Sequence, residues 1–113
     1  MDIRIREKED VAILDLSGEI RLSEHPEHIL RDYIRREMDT GKRKLLLNFA
    51  DLEFIDSSGI GELVASYVSV KNAGGKLRIA NVPDKIMLIL EYTSLGRIIE
   101  VFDNESAALE EFD

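Results

Sequence analysis

The fold of this chain is decided by residues 44–70, which read KLLLNFADLEFIDSSGIGELVASYVSV. The apolar run at 44–49 is typical of a strand in the middle of a sheet, covered on both faces. A loop at 50–56, which becomes briefly extended, separates this strand from a helical pattern. Apolar side chains that recur at i, i+3, i+4, i+7 and i+8 predict the buried face of that helix: Ile60, Leu63, Val64, Tyr67 and Val68.

Alternating strand and helix patterns extend to both sides of this unit. Residues 3–6 alternate apolar and charged, as an edge strand does, and residues 11–16 predict a more buried strand that pairs with it antiparallel. The remaining strands are predicted at 76–80 and 97–102. The remaining helices are predicted at 23–38, between Pro83 and Thr93, and after Asn104, where the last helix buries Ala108, Leu109 and Phe112.

The predicted order of elements is β-β-α-β-α-β-α-β-α. Alternation after the opening hairpin implies parallel strands joined by right-handed crossovers. We therefore predict an α/β fold, a small mixed β-sheet with α-helices packed against it, formed by residues 1–113 as a single domain. Further core side chains are predicted in the first helix, in the third helix and at two tyrosines: Ile29, Leu30, Tyr33, Ile34, Met38, Ile86, Met87, Leu90, Tyr67 and Tyr92.

Composition excludes several classes of protein. The 113 residues include no cysteine, so a disulfide framework, a zinc ribbon and a thiol nucleophile are ruled out. With 23 acidic against 15 basic residues, the net charge of -8 disfavours binding to nucleic acids and to anionic membrane surfaces. No window approaches the ~20 apolar residues of a membrane span. The first residues lack the apolar core of a signal peptide, and we expect a cytoplasmic protein.

The segment Asp56-Ser57-Ser58-Gly59 lies at the start of the predicted central helix. Backbone N–H groups are unpaired at such a position and the helix dipole is positive, so a dianionic phosphate on a serine would be well accommodated. Gly59 and Gly61 are predicted to leave space for the backbone of another molecule. Ordinary capping of the helix by this segment is the alternative interpretation, and the two are compatible.

Enzymatic and metal-binding interpretations lack the residues that they need. Catalysis by Ser57 requires a base, and the only histidines are His25 and His28. These histidines have no clear third metal ligand, and we interpret them as exposed residues near a helix start. The GIG spacing at 59–61 lacks the third glycine of a dinucleotide-binding loop. We therefore predict no catalytic residue, no metal site and no cofactor.

The segment at the start of the central helix resembles that of a known protein family. The motif DSSGIG at 56–61, after an apolar strand that ends LNF at 47–49, is similar to the signature of bacterial anti-sigma factor antagonists, which belong to the STAS superfamily. The resemblance covers nearly the whole chain. Its other parts are LSGEI at 16–20, GGKL at 74–77 and TSLG at 93–96.

This resemblance implies a protein that switches between partners. The unphosphorylated antagonist binds an anti-sigma factor, which is an ATP-dependent serine kinase, and a sigma factor is thereby freed to direct transcription. The kinase phosphorylates the first serine of the motif, here Ser57, and a PP2C-type phosphatase removes the phosphate. By this resemblance ATP belongs to the partner, and the chain is a kinase substrate without enzymatic activity, monomeric by itself. The implied partner-contacting residues are Asp56, Ser57, Ser58, Gly59, Ile60, Gly61, Glu19 and Arg21.

Arg21 departs from the family pattern, because many antagonists have an aspartate after the corresponding GEI segment. An arginine could pair with phosphoserine or with a carboxylate of the partner, or it could face solvent. Two other functions stay open. One is a scaffold or accessory domain of a transporter, stress-sensing or lipid-trafficking complex, as found in the same superfamily. The other is a small enzyme that uses Asp56 and Ser57.

Overall fold

The computed structural model describes residues 2–20 and 30–112. Within them the strands are β1 (Asp2–Lys8), β2 (Val11–Ile20), β3 (Lys44–Ile55), β4 (Lys76–Ala80) and β5 (Val101–Phe102). The helices are α1 (Leu30–Asp39), α2 (Ser57–Asn72), α3 (Asp84–Tyr92) and α4 (Glu105–Glu110), and a 3-10 helix spans Leu95–Arg97. The predictions for 21–29, which include Arg21, His25, His28 and Ile29, lie outside the described residues.

The strands form one mixed sheet in the order β1-β2-β3-β4-β5. β1 pairs with β2 antiparallel, whereas the strands from β2 to β5 pair in parallel. The predicted α/β fold is therefore confirmed, together with the antiparallel opening pair, the edge position of β1 and the central position of β3. Because β2, β3 and β4 are parallel, their carboxyl ends lie at one edge of the sheet, where functional sites of α/β folds commonly form.

Helices cover both faces of β3. Leu45 and Leu47 pack with buried side chains of α1, α2 and α3. Leu46 lies between them on the opposite face and packs with a second cluster that contains Ala108 and Phe112. All three leucines are fully buried, which confirms the prediction of a strand covered on both sides. The burial of Ala108, Leu109 and Phe112 is confirmed as well.

The predicted loop at 50–56 is wrong, because the structure continues β3 as far as Ile55. Parallel pairing with β2 persists to the pair of Ile20 with Ile55, after two register shifts. These irregularities disturb the alternation of buried and exposed side chains, which explains why the segment does not have the pattern of a regular strand.

The predicted strand at 97–102 is also wrong in its first part, because β5 contains only Val101–Phe102. Leu95 and Ile99 are both buried, and the Ile99 N–H donates to the Leu95 carbonyl at 2.9 Å. A helical turn brings residues four apart to the same side, so both side chains reach the core without an extended backbone. The chain therefore turns before it joins the sheet.

Two side chains predicted in the core lie at the surface instead. On α2 the buried residues are Gly59, Leu63, Ser66 and Val70, and Val68 is 47% exposed because it lies on the far side of the helix from Ser66 and Val70. On α3 the buried residues are Ile86 and Leu90, and Tyr92, two positions further on, is 93% exposed. The other predicted core residues of α1 to α3 within the described residues are buried or half-buried.

A polar cluster joins the edge strand to the last helix. The Arg6 guanidinium donates to both carboxylate oxygens of Asp15, at 2.7 and 3.0 Å, and it also donates to the Glu105 carboxylate, at 3.2 Å to Oε2. Asn48 donates to Asp15 as well, at 2.8 Å. The hydrogen bonds from Arg6 lower the pKa of Asp15 from 3.8 and that of Glu105 from 4.5. One arginine of β1 therefore links β2 with α4.

The variant Arg6→Gln tests this link. We expect it to lower the free energy of unfolding at neutral pH by about 1 kcal/mol, a modest figure because the Arg6 side chain is 39% exposed. A carboxyl group with a depressed pKa stabilises the folded state above its unfolded-state pKa, and that stabilisation is lost as the pH falls through the folded-state pKa. Urea unfolding should therefore show that the difference in unfolding free energy between wild type and Arg6→Gln becomes smaller at pH values well below 3.8. Arg97→Gln, a change at an exposed arginine outside this cluster, is the control, and an equally large effect of that change would contradict the assignment.

Candidate functional site

The junction between β3 and α2 lies beside the end of β2. The Asp56 N–H donates to the carbonyl of Ile20, the last residue of β2, at 3.2 Å. Glu19 pairs with Phe54 in the parallel register, so its exposed side chain belongs to the same edge of the sheet. The sequence motif is thus placed where two parallel strands end and a helix begins, next to the segment that carries Glu19.

Asp56 caps α2. Its Oδ1 accepts the Gly59 N–H at 2.8 Å, and its carbonyl accepts the Ile60 N–H at 2.9 Å. Its extended backbone, with φ -97° and ψ -176°, is typical of a residue that precedes a helix. The capping interpretation is therefore confirmed, with Asp56 rather than either serine as the cap.

Ser57 and Ser58 are the first two residues of α2, and both are exposed. Because Asp56 supplies the cap, the two hydroxyl groups are not needed to close the helix. Their own backbone N–H groups lie in the first turn, where helices have no internal acceptor and the dipole is positive. A second molecule can therefore reach both oxygens at a position that favours negative charge.

Gly59 has a role that the sequence interpretation missed. A Cβ atom at this position would lie 2.4 Å from the carbonyl oxygen of Ile20 and 2.8 Å from Cγ1 of Ile55, closer than real Cβ contacts. Gly59 is buried, so its missing side chain brings the helix against the strand ends rather than leaving space for another molecule. Gly61 differs, because it is exposed and a Cβ there would meet nothing within 4 Å.

The two glycines are therefore expected to respond oppositely to alanine. Gly59→Ala should lower the free energy of unfolding by about 1–3 kcal/mol, because the added methyl group must displace backbone. Gly61→Ala should raise it by about 0.5–1 kcal/mol, since alanine is favoured over glycine in a helix and the space is empty. Urea unfolding of the two variants measures both effects. If the two variants changed the free energy of unfolding equally and with the same sign, the prediction would be contradicted, because the structure would then accommodate a methyl group at position 59 without loss of stability.

The carboxyl edge of the sheet carries exposed acidic side chains. The exposed side chains of Glu19, Asp51 and Glu53 lie on the last part of β2 and β3. An open groove at this edge includes Asp51 and Glu53 on one wall and Lys85, in the first turn of α3, on the other. A phosphate on Ser57 would therefore join an edge of the sheet that already carries these carboxylates.

The described residues hold no group of three His, Cys, Asp or Glu side chains placed to bind a metal ion. In the same part of the chain, no helix is both long enough and apolar enough to span a membrane. The two histidines, which the sequence interpretation treats as exposed residues near a helix start, lie outside this part of the chain.

The order of the elements and the serine pair at the start of α2 define an α/β domain of the STAS class. Residues 2–108 match the family model of the STAS domain, and the chain belongs to this family.

Individual relatives agree with this assignment. The chain is 28% identical over 118 residues to an anti-sigma F factor antagonist of Paenibacillus polymyxa, with 100% of this chain and 96% of that protein covered. It is 33% identical over 104 residues to a TM1081 homolog of Thermotoga neapolitana, with 91% and 90% covered. The NMR structure of TM1081, a Thermotoga maritima protein, superposes with a TM-score of 0.84 at 28% identity and covers 96% of this chain and 86% of that one.

Proposed function

We propose that this protein is an anti-sigma factor antagonist that changes partners through the phosphorylation state of Ser57. The observation that carries the proposal is the exposed Ser57 hydroxyl in the first turn of α2, left free because Asp56 caps the helix. Relatives that match 89% and 100% of the chain bear the name of anti-sigma factor antagonists, which supports the same general role. The finer assignment of Ser57 rests on its position in the motif and on this geometry.

In this proposal, phosphorylation acts through local charge. The phosphate adds roughly -1.5 to -2 charges at neutral pH, on the edge of the sheet that also carries Glu19 and Glu53. A partner surface that packs against a neutral hydroxyl would have to desolvate that charge and face the surrounding carboxylates. A hundredfold loss of affinity requires only about 2.7 kcal/mol, which electrostatics at one site can supply.

The proposed partners are an anti-sigma factor with serine-kinase activity, which brings its own ATP, and a PP2C-type phosphatase. The proposed contact surface comprises Asp56, Ser57, Ser58, Ile60, Gly61, Glu19 and, outside the described residues, Arg21. Gly59 contributes through the position of the helix. The chain itself acts as a switch without enzymatic activity, and we propose that it works in the cytoplasm.

Phosphorylation by the partner kinase tests the site. Incubation with that kinase and ATP should add one phosphate, detected by intact mass, and Ser57→Ala should abolish the addition because the acceptor oxygen is gone. Ser58→Ala is the matched control, one residue further along the same turn, and should still accept the phosphate. If Ser58→Ala abolished the addition of phosphate and Ser57→Ala did not, the phosphorylated residue would be Ser58 instead. Addition to neither serine in wild type would favour the scaffold or accessory alternative.

A second test measures binding and structure together. Phosphorylated protein should bind the anti-sigma factor about 100-fold more weakly in calorimetry, for the electrostatic reason given above. Amide shifts in the NMR spectrum should be confined to the carboxyl edge, around 56–61 and Glu19, with Phe112 in the opposite cluster unmoved. Shift changes throughout both hydrophobic clusters would contradict a local mechanism and indicate a change of fold.

A further inference from the structure

The short β5 leaves part of β4 without a neighbour. β5 pairs only with the end of β4, through Ile79 with Val101 and Ala80 with Phe102. On its other side β4 pairs with β3 over its full length, from Lys76 to Ala80. The first three residues of β4 therefore form an open strand edge within the described part of the chain.

The backbone of Leu77 faces this open edge. The Lys76 N–H donates towards β3, to the Arg43 carbonyl at 2.7 Å, whereas the Ile79 N–H donates towards β5, to the Glu100 carbonyl at 3.0 Å. Successive residues of a strand in a parallel sheet direct their N–H and C=O groups to alternate sides. Leu77 shares its side with Ile79, so its N–H and C=O groups point to the edge that β5 does not cover.

A groove of about 200 Å³ lies along this edge, and we call it the β4 groove. Pockets for drug-sized ligands occupy roughly 300–1,000 Å³, so this volume suits a single anchoring side chain better than a cofactor. The groove is lined by residues of α2, β4 and the segment before β5, among them Tyr67, Lys71, Lys76, Leu77, Arg78 and Ile98.

The β4 groove combines apolar surface with positive charge. Ile98 is 49% exposed on one wall, and Lys71 places its ammonium group 5.9 Å from the ring centre of Tyr67 on the other. Three cationic side chains line the groove against one carboxylate, that of Glu100, whose Oε2 lies 3.4 Å from Nε of Arg78. In a chain with a net charge of -8, such a local excess of positive charge complements an acidic ligand.

We propose that the β4 groove binds a short extended segment of a partner protein, in which one apolar residue is flanked by acidic residues. The backbone of that segment would hydrogen-bond to the N–H and C=O groups of Leu77, as in other cases of strand addition to a sheet edge. Its apolar side chain would contact Tyr67 and Ile98, and its carboxylates would face Lys71 and Lys76. This site adjoins the opposite end of α2 from Ser57. Along the helix axis Tyr67 lies about 15 Å and Lys71 about 21 Å from Ser57, so the groove is separate from the proposed switch.

The test uses the full chain, labelled with nitrogen-15, and a blocked five-residue peptide with a central valine and two glutamates on each side. Saturable shift changes are expected at the amides of Leu77 and Ile98, with those of Ser57 and Ser58 unmoved. The same peptide with lysine in place of glutamate should cause no such changes. The double variant Lys71→Glu with Lys76→Glu should weaken binding by at least roughly fivefold, because two favourable charge contacts become repulsive.

Lys85→Glu on α3 is the matched control, an exposed lysine outside the groove that should leave peptide binding unchanged. Thermal melting verifies that the double variant is folded. Absence of shift changes at Leu77 with millimolar peptide, or equal binding by wild type and the double variant, would overturn the proposal. Concentration-dependent self-association in sedimentation that the double variant abolishes would also overturn it, because the occupant would then be a second copy of this chain.

Discussion

The first turn of α2 approaches the ends of β2 and β3 so closely that no Cβ atom fits at position 59. This contact, together with the hydrogen bond from the Asp56 N–H to Ile20, fixes where the helix starts relative to the sheet. Asp56 then caps the helix from its own side chain, and the residues that follow are held in the first turn with their hydroxyl groups in solvent. The chemistry proposed for Ser57 depends on that packing, because a looser junction would not hold the hydroxyl in one place.

Most strands and helices were predicted correctly from local hydrophobic patterns. The predictions failed where contacts between residues distant in the chain determine the local structure. The apolar run at 44–49 predicted a central strand because it is short and its successive side chains would need cover on both faces, and the structure places its leucines in two clusters. The run at 97–102 looked equally strand-like. There, however, Leu95 and Ile99 are four residues apart and both are buried. A helical turn, closed by the hydrogen bond from the Ile99 N–H to the Leu95 carbonyl, brings both side chains into the core. Val68 shows the same limit, since periodicity predicted the buried face of the helix correctly for the other four residues but did not show where that face ends.

The position of the candidate site was predictable from the sequence, whereas the roles of its individual residues were less so. An aspartate and two serines before a strong helical pattern predicted the helix start, and the structure confirms it. The packing role of Gly59 was not predictable, because it depends on the carbonyl of Ile20, which lies 39 residues earlier in the chain. The contact of Arg6 with Glu105 was out of reach for the same reason, since the two residues lie 99 positions apart and no local pattern relates them.

A rigid frame suits a switch that depends on charge alone. Helices cover both faces of β3, so a new charge at the carboxyl edge has few ways to reorganise the core and acts mainly on whatever touches that edge. Glu19 and Glu53 belong to the same edge, so a phosphate there would add to negative charge that is already present. Lys71, in the last turn of α2, lies about 21 Å from Ser57 along the helix axis, well beyond the Debye length of about 8 Å at physiological ionic strength. If both proposals hold, screening separates the two sites electrostatically, and neither site senses the charge of the other.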